Sequence, residues 1–241
     1  MIQARLRRLF NGLRRTPLHP QWFAFLREDG NLRADCAGLT GLVLDIGCAD
    51  QKPRRHLGAG ADYVGLDYFN TATGWYGTRP DVFGDAARLP LQSGSIDHVL
   101  LLDVLEHLPQ PAACLDEIQR VLRPGGQLII QVPFVYPLHD APLDFHRWTR
   151  FGLHRSAQDA GFEIVRESAI GHPLETAALV ANIASSKAVL NWIQRRNPLA
   201  LIAIGLPILV LWRNVVARVL AALSSSDDLM PYAYRMVWVK T

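Results

Sequence analysis

Two acidic residues at the ends of predicted buried strands are the first candidates for chemistry. Asp45 ends an apolar run that begins at Leu42 and leads into Gly47, and Asp67 ends a second apolar run further along the chain. A glycine turn lets a ligand approach the backbone, and a carboxylate can accept hydrogen bonds from ribose hydroxyls. Together they predict a nucleoside site at the carboxyl edge of a parallel sheet.

The motifs that follow narrow the class of protein. Phe83-Gly84-Asp85-Ala86 precedes an apolar strand ending at Leu102, and Asp103 to Leu108 leads into an amphipathic helix. Arg123-Pro124-Gly125-Gly126 should end that helix before a strand at Gln127–Pro133. This order resembles the class I S-adenosylmethionine-dependent methyltransferases, in the subgroup of the ubiquinone and menaquinone methylases. The resemblance covers about residues 40 to 170, and similar enzymes with a Pro-Phe…Arg-Trp-Thr stretch occur in surface-glycan and lipid pathways.

The resemblance implies an α/β fold, a three-layer Rossmann-like methyltransferase sheet that is mostly parallel with an antiparallel last strand. It also implies S-adenosylmethionine as cofactor. The implied cofactor-binding residues at the methionyl and ribose end are Asp45, Gly47 and Cys48, and those at the ribose hydroxyls are Asp67 and Tyr68. Asp85 and Ala86 are implied to lie beside the adenine, and Leu102 and Asp103 are implied to border the cofactor. Asp103 could instead cap the next helix. Ala49 and Gln51 depart from the family, which often has glycines at these two positions.

The segment Pro133–Thr149 is predicted to form the acceptor wall, because it follows the fifth strand at the carboxyl edge. Tyr136, Arg147 and Trp148 are its predicted acceptor-binding residues, and His139 or His146 is the predicted catalytic base, since a histidine titrates near neutrality. The alternative is that these groups only hydrogen-bond a long loop. No metal site is predicted, because the histidines and aspartates here follow no strong metal-binding spacing. His107 is interpreted as structural.

Three domains are predicted along the chain. Residues 1–40 are a basic amphipathic N-terminal segment and lead-in, residues 41–171 with 231–241 are the methyltransferase domain, and residues 172–230 are a hydrophobic helical insertion before the last strand. Pro198–Trp212 has no charged residue, but it is shorter than the roughly 20 residues that a membrane span needs. An interfacial hairpin or lid and a buried helix remain open as alternatives.

The amino-acid composition limits the class of protein, its compartment and its partners. The chain has 241 residues, 49% of them apolar and 20% charged, which suits a folded core, and its net charge of +3 says little about partners. Three widely spaced cysteines suggest neither a disulfide framework nor a zinc site and fit a reducing cytoplasm. No base-reading module is present, so no nucleic-acid partner is expected, and the oligomeric state is not indicated.

The predicted function is methyl transfer from S-adenosylmethionine to a small or lipid-linked acceptor, with oxygen favoured over carbon. We expect a cytoplasmic enzyme, in peripheral contact with the inner face of the membrane. One alternative is a nicotinamide-dependent oxidoreductase, which would need two further glycines after Gly47 to admit a pyrophosphate. The other is a non-catalytic, cofactor-binding scaffold associated with a membrane.

Overall fold

The computed structural model describes residues 12–225 and 228–241, and the chain divides into two units. The helical unit comprises residues up to Asp29, Val135–Pro137 and Ile170–Tyr232. The sheet unit comprises Gly30–Phe134, Leu138–Ala169 and Ala233–Thr241. Most of the predicted basic helix at the N-terminus, including Ile2, Leu6, Leu9 and Phe10, lies outside the described residues.

The sheet unit contains a seven-stranded sheet. In chain order the strands are β1 (Gly41–Ile46), β2 (Ala61–Asp67), β3 (Val82–Phe83), β4 (Ile96–Leu102), β5 (Leu122–Pro133), β6 (Phe162–Ile170) and β7 (Ala233–Lys240). Their spatial order is β3-β2-β1-β4-β5-β7-β6. Strands β1 to β5 pair in parallel, whereas β7 lies antiparallel to β5. The predicted fold class is therefore confirmed.

The central strands are apolar because both faces of the sheet are covered. One core cluster includes Leu44, Val99, Leu128 and Trp238, and a second includes Val43, Leu100 and Ile129. Successive residues of a strand point to opposite faces, so a strand that meets both clusters reads as a continuous apolar run. This burial fixes the strand ends, where the functional side chains lie.

Three helices of at least nine residues belong to the described part of the sheet unit. They are α2 (Glu28–Cys36), which starts at the end of the helical unit, α3 (Pro111–Val121) and α4 (Arg150–Asp159). Thr149 caps α4, because its Oγ1 accepts a hydrogen bond of 3.1 Å from the Gly152 amide.

One boundary differs from the prediction. Helix α3 ends at Val121, and Arg123–Gly126 belongs to β5 rather than to a separate stop before it. Pro124 restricts Arg123 to extended backbone, so the chain leaves the helix before the glycines are reached.

The helical unit contains α1 (Trp22–Leu26), α5 (Pro173–Gln194) and α6 (Leu206–Leu223), with a 3₁₀ turn at Pro198–Ile204 before α6. Buried Asn182 donates a hydrogen bond of 2.9 Å to the side-chain oxygen of buried Asn214, which ties α5 to α6. Among the described residues, α6 is the one helix whose length and apolar composition would allow it to cross a membrane, and little of it is buried.

Candidate active site

A cavity of about 490 Å³ opens where β1, β2 and β4 end. Its volume lies within the range of small-molecule sites, and a crevice at the carboxyl ends of parallel strands is the expected place for a nucleoside. Seven of the predicted cofactor residues line it: Gly47, Asp67, Tyr68, Asp85, Ala86, Leu102 and Asp103. These residues come from four separate segments, so the fold assembles the site from distant parts of the chain.

Gly47 forms the turn that brings the backbone to the cavity. Its φ is +71°, and a Cβ at this position would lie 2.4 Å from a side-chain methyl of Val104. Only glycine accepts both the left-handed conformation and this close contact without displacement. The turn is held by the amides of Gly47 and Cys48, which both donate to the carbonyl of Leu66.

The carboxylate of Asp67 is held by donors from the chain itself. One oxygen accepts from the Ala49 amide at 3.0 Å, and the other accepts from the Tyr68 amide at 2.7 Å and the Thr71 hydroxyl at 3.2 Å. Each ionised oxygen has more than one lone-pair direction. The group is therefore fixed in place and still has capacity to accept from ribose hydroxyls.

Asp45 and Cys48 do not line the cavity, unlike the other predicted cofactor residues. Asp45 is 3% exposed and accepts a hydrogen bond of 2.6 Å from the Tyr63 hydroxyl. Burial raises the pKa of its carboxyl from 3.8 to about 7. Burial likewise raises the pKa of the Cys48 thiol to about 12, which leaves this cysteine a neutral packing residue.

Asp85 and Ala86, the predicted adenine residues, line the cavity together with an aromatic segment. Asp85 Oδ1 accepts from the Ala87 amide at 2.9 Å, and a short helical stretch from Phe69 to Tyr76 adds Trp75 and Tyr76 to the lining. The Tyr76 hydroxyl donates to Asp140 at 2.5 Å. An aromatic ring in the cavity wall can pack against the flat face of a purine, and a carboxylate can accept from its amino group.

The residues of the predicted acceptor wall belong to different units of the chain. Tyr136 lies in the helical unit, where the Gln21 side chain donates to its hydroxyl. Arg147 forms a two-pronged ion pair with Asp144, at 2.5 and 2.7 Å, and this hydrogen-bonded guanidinium lowers the pKa of Asp144 to about 2. Asp144 in turn accepts from the backbone amide of His139 at 3.0 Å. Arg147 thus organises the loop around His139.

The two candidate bases have different surroundings. The ring of His139 packs edge-on against that of His107, with centroids 4.9 Å apart, and His107 lines the cavity. The ring of His146 lies 5.1 Å from that of Trp148, which packs on the core, and neither residue lines the cavity. The geometry places His139, rather than His146, next to the cavity.

Glu106 is a functional candidate that the sequence did not single out. Its side chain is 0% exposed, and neither carboxylate oxygen has a hydrogen-bond partner within the described part of the chain. Leaving a buried polar group unsatisfied costs roughly 1–3 kcal/mol, and more when the group is charged. Its oxygen Oε1 lies 3.7 Å from Nε2 of both His107 and His139. These three residues form what we call the Glu-His-His cluster.

Left-handed backbone is concentrated around the cavity. Of the five non-glycine residues with positive φ in the described chain, Ala49, Asp103 and Asp140 line the cavity, and Gln51 lies in the same turn as Ala49. Such conformations cost about 1–2 kcal/mol each and tend to cluster at functional sites. Ala49 and Gln51 therefore adopt the conformation that the family's glycines would take easily.

Comparison with known proteins identifies the domain. Residues 44–130 match the sequence pattern of the methyltransferase domain. A Mycolicibacterium smegmatis protein named "Probable S-adenosylmethionine-dependent methyltransferase" is 34% identical over 164 residues, which is 61% of this chain and 60% of that protein. A ubiquinone biosynthesis O-methyltransferase of Aromatoleum aromaticum is 33% identical over 121 residues, covering 44% of this chain and 52% of that enzyme.

A solved structure shows the same fold at lower identity. An S-adenosylmethionine-dependent methyltransferase from Mesorhizobium loti superposes with a TM-score of 0.54 at 14% identity, covering 88% of this chain and 97% of that one. The cofactor of the family is S-adenosylmethionine, and the Gly47 turn, the Asp67 carboxylate and the aromatic residues of the cavity lining fit its nucleoside. The domain built around residues 44–130 belongs to the class I S-adenosylmethionine-dependent methyltransferases.

Proposed function

We propose that this protein transfers a methyl group to an oxygen of a lipid-soluble or lipid-linked acceptor at the inner surface of a membrane, with carbon as the second choice of acceptor atom. The observation that carries the acceptor class is the outward face of α6, which is apolar instead of polar. A cytoplasmic enzyme with such a face would meet acceptors that are dissolved in the lipid.

The two faces of α6 support this proposal. Val210, Asn214 and Ala217 are buried at helical spacing, whereas Ile208 is 71% exposed, Trp212 61% and Val219 52%. A helix on a water-exposed surface normally presents charged and polar groups outward. A large apolar face, with a tryptophan among its residues, is instead typical of proteins that enter the headgroup region of a bilayer.

Basic residues near α6 add to the argument. Arg195 and Arg196 follow α5 and are exposed, and each basic residue close to an anionic surface adds about 1 kcal/mol of attraction. Arg218 is held by buried Glu175 at 2.9 Å, so driving α6 through a bilayer would carry this ion pair into lipid. Binding at the interface therefore suits α6 better than spanning.

Oxygen as the acceptor atom rests on the groups beside the cavity. The cofactor supplies a methyl group already activated on a positively charged sulfur. The protein has to align the acceptor, exclude water and remove the hydroxyl proton. His139 is the proposed base, and the ubiquinone O-methyltransferase relative acts on an oxygen according to its name. A carbon acceptor would need its proton removed from carbon, which is harder for a neutral imidazole.

Vesicle flotation followed by a transfer assay tests the proposal. Wild-type protein should float with anionic vesicles and less with neutral ones, and the triple variant Ile208→Ser, Trp212→Ser, Val219→Ser should stay at the bottom. A matched control replaces two exposed apolar residues of the sheet unit, Phe151→Ser and Val165→Ser, and should float as the wild type does.

The transfer assay uses cofactor labelled on the methyl group and a total lipid extract of the host. Label should enter the organic phase as a methyl ether. The membrane proposal fails if wild-type protein ignores anionic vesicles or if the triple variant floats equally. Binding of S-adenosylhomocysteine without transfer to any extract would instead favour the non-catalytic scaffold.

A further inference from the structure

We propose that the Glu-His-His cluster binds one divalent transition-metal ion beside the cavity. The candidate ligand atoms of Glu106, His107 and His139 all lie within 4.8 Å of one another. Ligands bound about 2.0–2.1 Å from a tetrahedral ion stand roughly 3.4 Å apart. The two distances of 3.7 Å from Glu106 Oε1 to the imidazole nitrogens come within a few tenths of an ångström of that spacing.

A hydrogen bond on the far side of the His107 ring supports this assignment, and charged neighbours hold the His139 ring. His107 Nδ1 lies 2.8 Å from the carbonyl oxygen of Leu143, which can only accept, so Nδ1 carries the proton. His139 Nδ1 lies 3.2 Å from a carboxylate oxygen of Asp144 and 3.4 Å from the Arg147 guanidinium, so both neighbours position the ring. In the neutral His107 ring, protonated at Nδ1, the lone pair lies on Nε2, an arrangement typical of metal-ligating histidines.

The buried carboxylate of Glu106 is an independent observation. It is completely buried, neither oxygen has a hydrogen-bond donor among the described residues, and both nearby imidazoles present Nε2 to it. A buried charge is normally paired or bound to a metal. An ion between the three groups would give the carboxylate a ligand bond that the described residues do not supply.

The ligand types indicate which ions would bind. Two imidazoles and one carboxylate suit Zn²⁺, Co²⁺, Mn²⁺ or Fe²⁺, whereas Mg²⁺ and Ca²⁺ prefer oxygen ligands only. Three protein ligands leave at least one position open. Because His107 lines the cavity, the open position would bind the acceptor oxygen and make its hydroxyl more acidic. With the ion bound, His139 would be a ligand instead of the base, and the acidified hydroxyl would lose its proton to solvent. That role rests on the proposed O-methyl transfer, whereas metal binding itself does not. The proposal revises the prediction that no metal site is present.

Calorimetric titration of chelator-treated, dialysed protein with Zn²⁺ tests the site. Wild-type protein should bind about one equivalent, and Glu106→Gln and His139→Gln should each weaken binding at least ~100-fold, beyond the ~10–100-fold typical of losing an outer-shell partner. His146→Gln and His154→Gln remove histidines outside the cluster and should bind as the wild type does. With Co²⁺, only proteins with an intact cluster should develop a visible absorption band.

Two further measurements separate metal binding from folding and from the proposed function. Affinity for S-adenosylhomocysteine should stay within about twofold in every variant, because neither Glu106 nor His139 lines the cavity. The rise in melting temperature on adding Zn²⁺ should appear in the wild type and vanish in His139→Gln. The proposal is overturned if wild-type protein binds no Zn²⁺ or Co²⁺, or if both cluster variants bind as tightly. Methyl transfer by metal-free protein at an undiminished rate would remove the catalytic role and leave the proposed function standing.

Discussion

The two sides of the cavity differ in the hydrogen-bond donors that they offer to a buried carboxylate. On the side formed by β1 and β2, Asp67 accepts hydrogen bonds from two backbone amides and a hydroxyl. On the side formed by the segment after β4, Glu106 has no hydrogen-bond donor within the described chain and faces two imidazoles. Asp67 can accept further hydrogen bonds from the hydroxyls of a neutral sugar. The buried Glu106 carboxylate needs a positively charged group or ion to compensate its charge.

This difference corresponds to the two functions of the site, cofactor binding and methyl transfer. Backbone groups build the cofactor side, so its geometry follows from the turn after β1 and tolerates variation of most nearby side chains. Side chains build the other side, and they come from segments 33 positions apart in the chain, at Glu106 and His139. We expect single substitutions on the side-chain side to affect turnover, and those on the backbone side to affect cofactor affinity or stability.

The largest expected effect is on turnover. His139→Gln should lower the rate of methyl transfer to the lipid extract by about 10²–10⁴-fold, the contribution of a positioned acid or base. Affinity for S-adenosylhomocysteine should be unchanged. His146→Gln is the matched control, because its ring lies against Trp148 and away from the cavity. Equal losses in the two variants, or none in either, would remove the distinction between the two histidines.

The next effect concerns stability and pH on the backbone side. Burial raises the pKa of Asp45 from 3.8 to about 7 in the folded protein. A carboxyl whose pKa rises on folding stabilises the fold below its unfolded pKa, and this stabilisation is lost as the pH rises through the folded pKa. The free energy of unfolding should fall by on the order of 4 kcal/mol between pH 4 and pH 8, because the pKa of Asp45 differs by about 3 between the two states and each pKa unit is worth about 1.36 kcal/mol.

Urea unfolding of wild type and Asp45→Asn at several pH values checks this prediction. The neutral amide cannot ionise, so the variant should gain stability relative to the wild type from pH 4 to about pH 7, with no further change above that. Subtracting one free energy of unfolding from the other removes the contribution of groups that titrate equally in both proteins. A difference that does not vary with pH would show that Asp45 is not buried as an ionisable group.

The smallest expected effect tests strain in the turn after β1. Ala49 has a φ of +40°, so Ala49→Gly should stabilise the apo protein by about 1 kcal/mol, because glycine adopts this conformation without steric cost. The same change at Ala113 within α3 should destabilise by a similar amount, since glycine weakens a helix. Thermal unfolding measures both. Loss of stability in Ala49→Gly would mean that the turn is not strained.

Much of the fold and of the cofactor side could be predicted from local sequence. Apolar runs ending in Asp45 and Asp67 indicate two parallel strands, and seven of the nine predicted cofactor residues do line the cavity. The exceptions, Asp45 and Cys48, lie in the predicted segment but do not line the cavity, and Asp45 instead accepts from the Tyr63 hydroxyl. For Asp45, the alternation of side chains along β1 decides which face of the sheet it meets, and local sequence does not determine that register.

The side-chain side could not be predicted in the same way. Glu106-His107 was visible in the sequence, but its relation to His139 depends on the path of the loop after β5, which local propensity does not determine. The left-handed backbone at Asp103 and Asp140 is likewise imposed by tertiary contacts. The apolar outward face of α6 was also ambiguous, because composition alone does not distinguish a buried helix from an exposed one.

The most direct test of the central claim, that this cavity binds S-adenosylmethionine through the backbone side, is calorimetric titration with S-adenosylhomocysteine. Wild-type protein should bind one molecule. Asp67→Ala should bind at least about tenfold more weakly, because two hydrogen bonds to a charged acceptor are worth about 1.5–3 kcal/mol each. Asp116→Ala, an exposed acid on α3, should bind as the wild type does. Undiminished affinity in a folded Asp67→Ala protein, or no binding by the wild type, would contradict the claim.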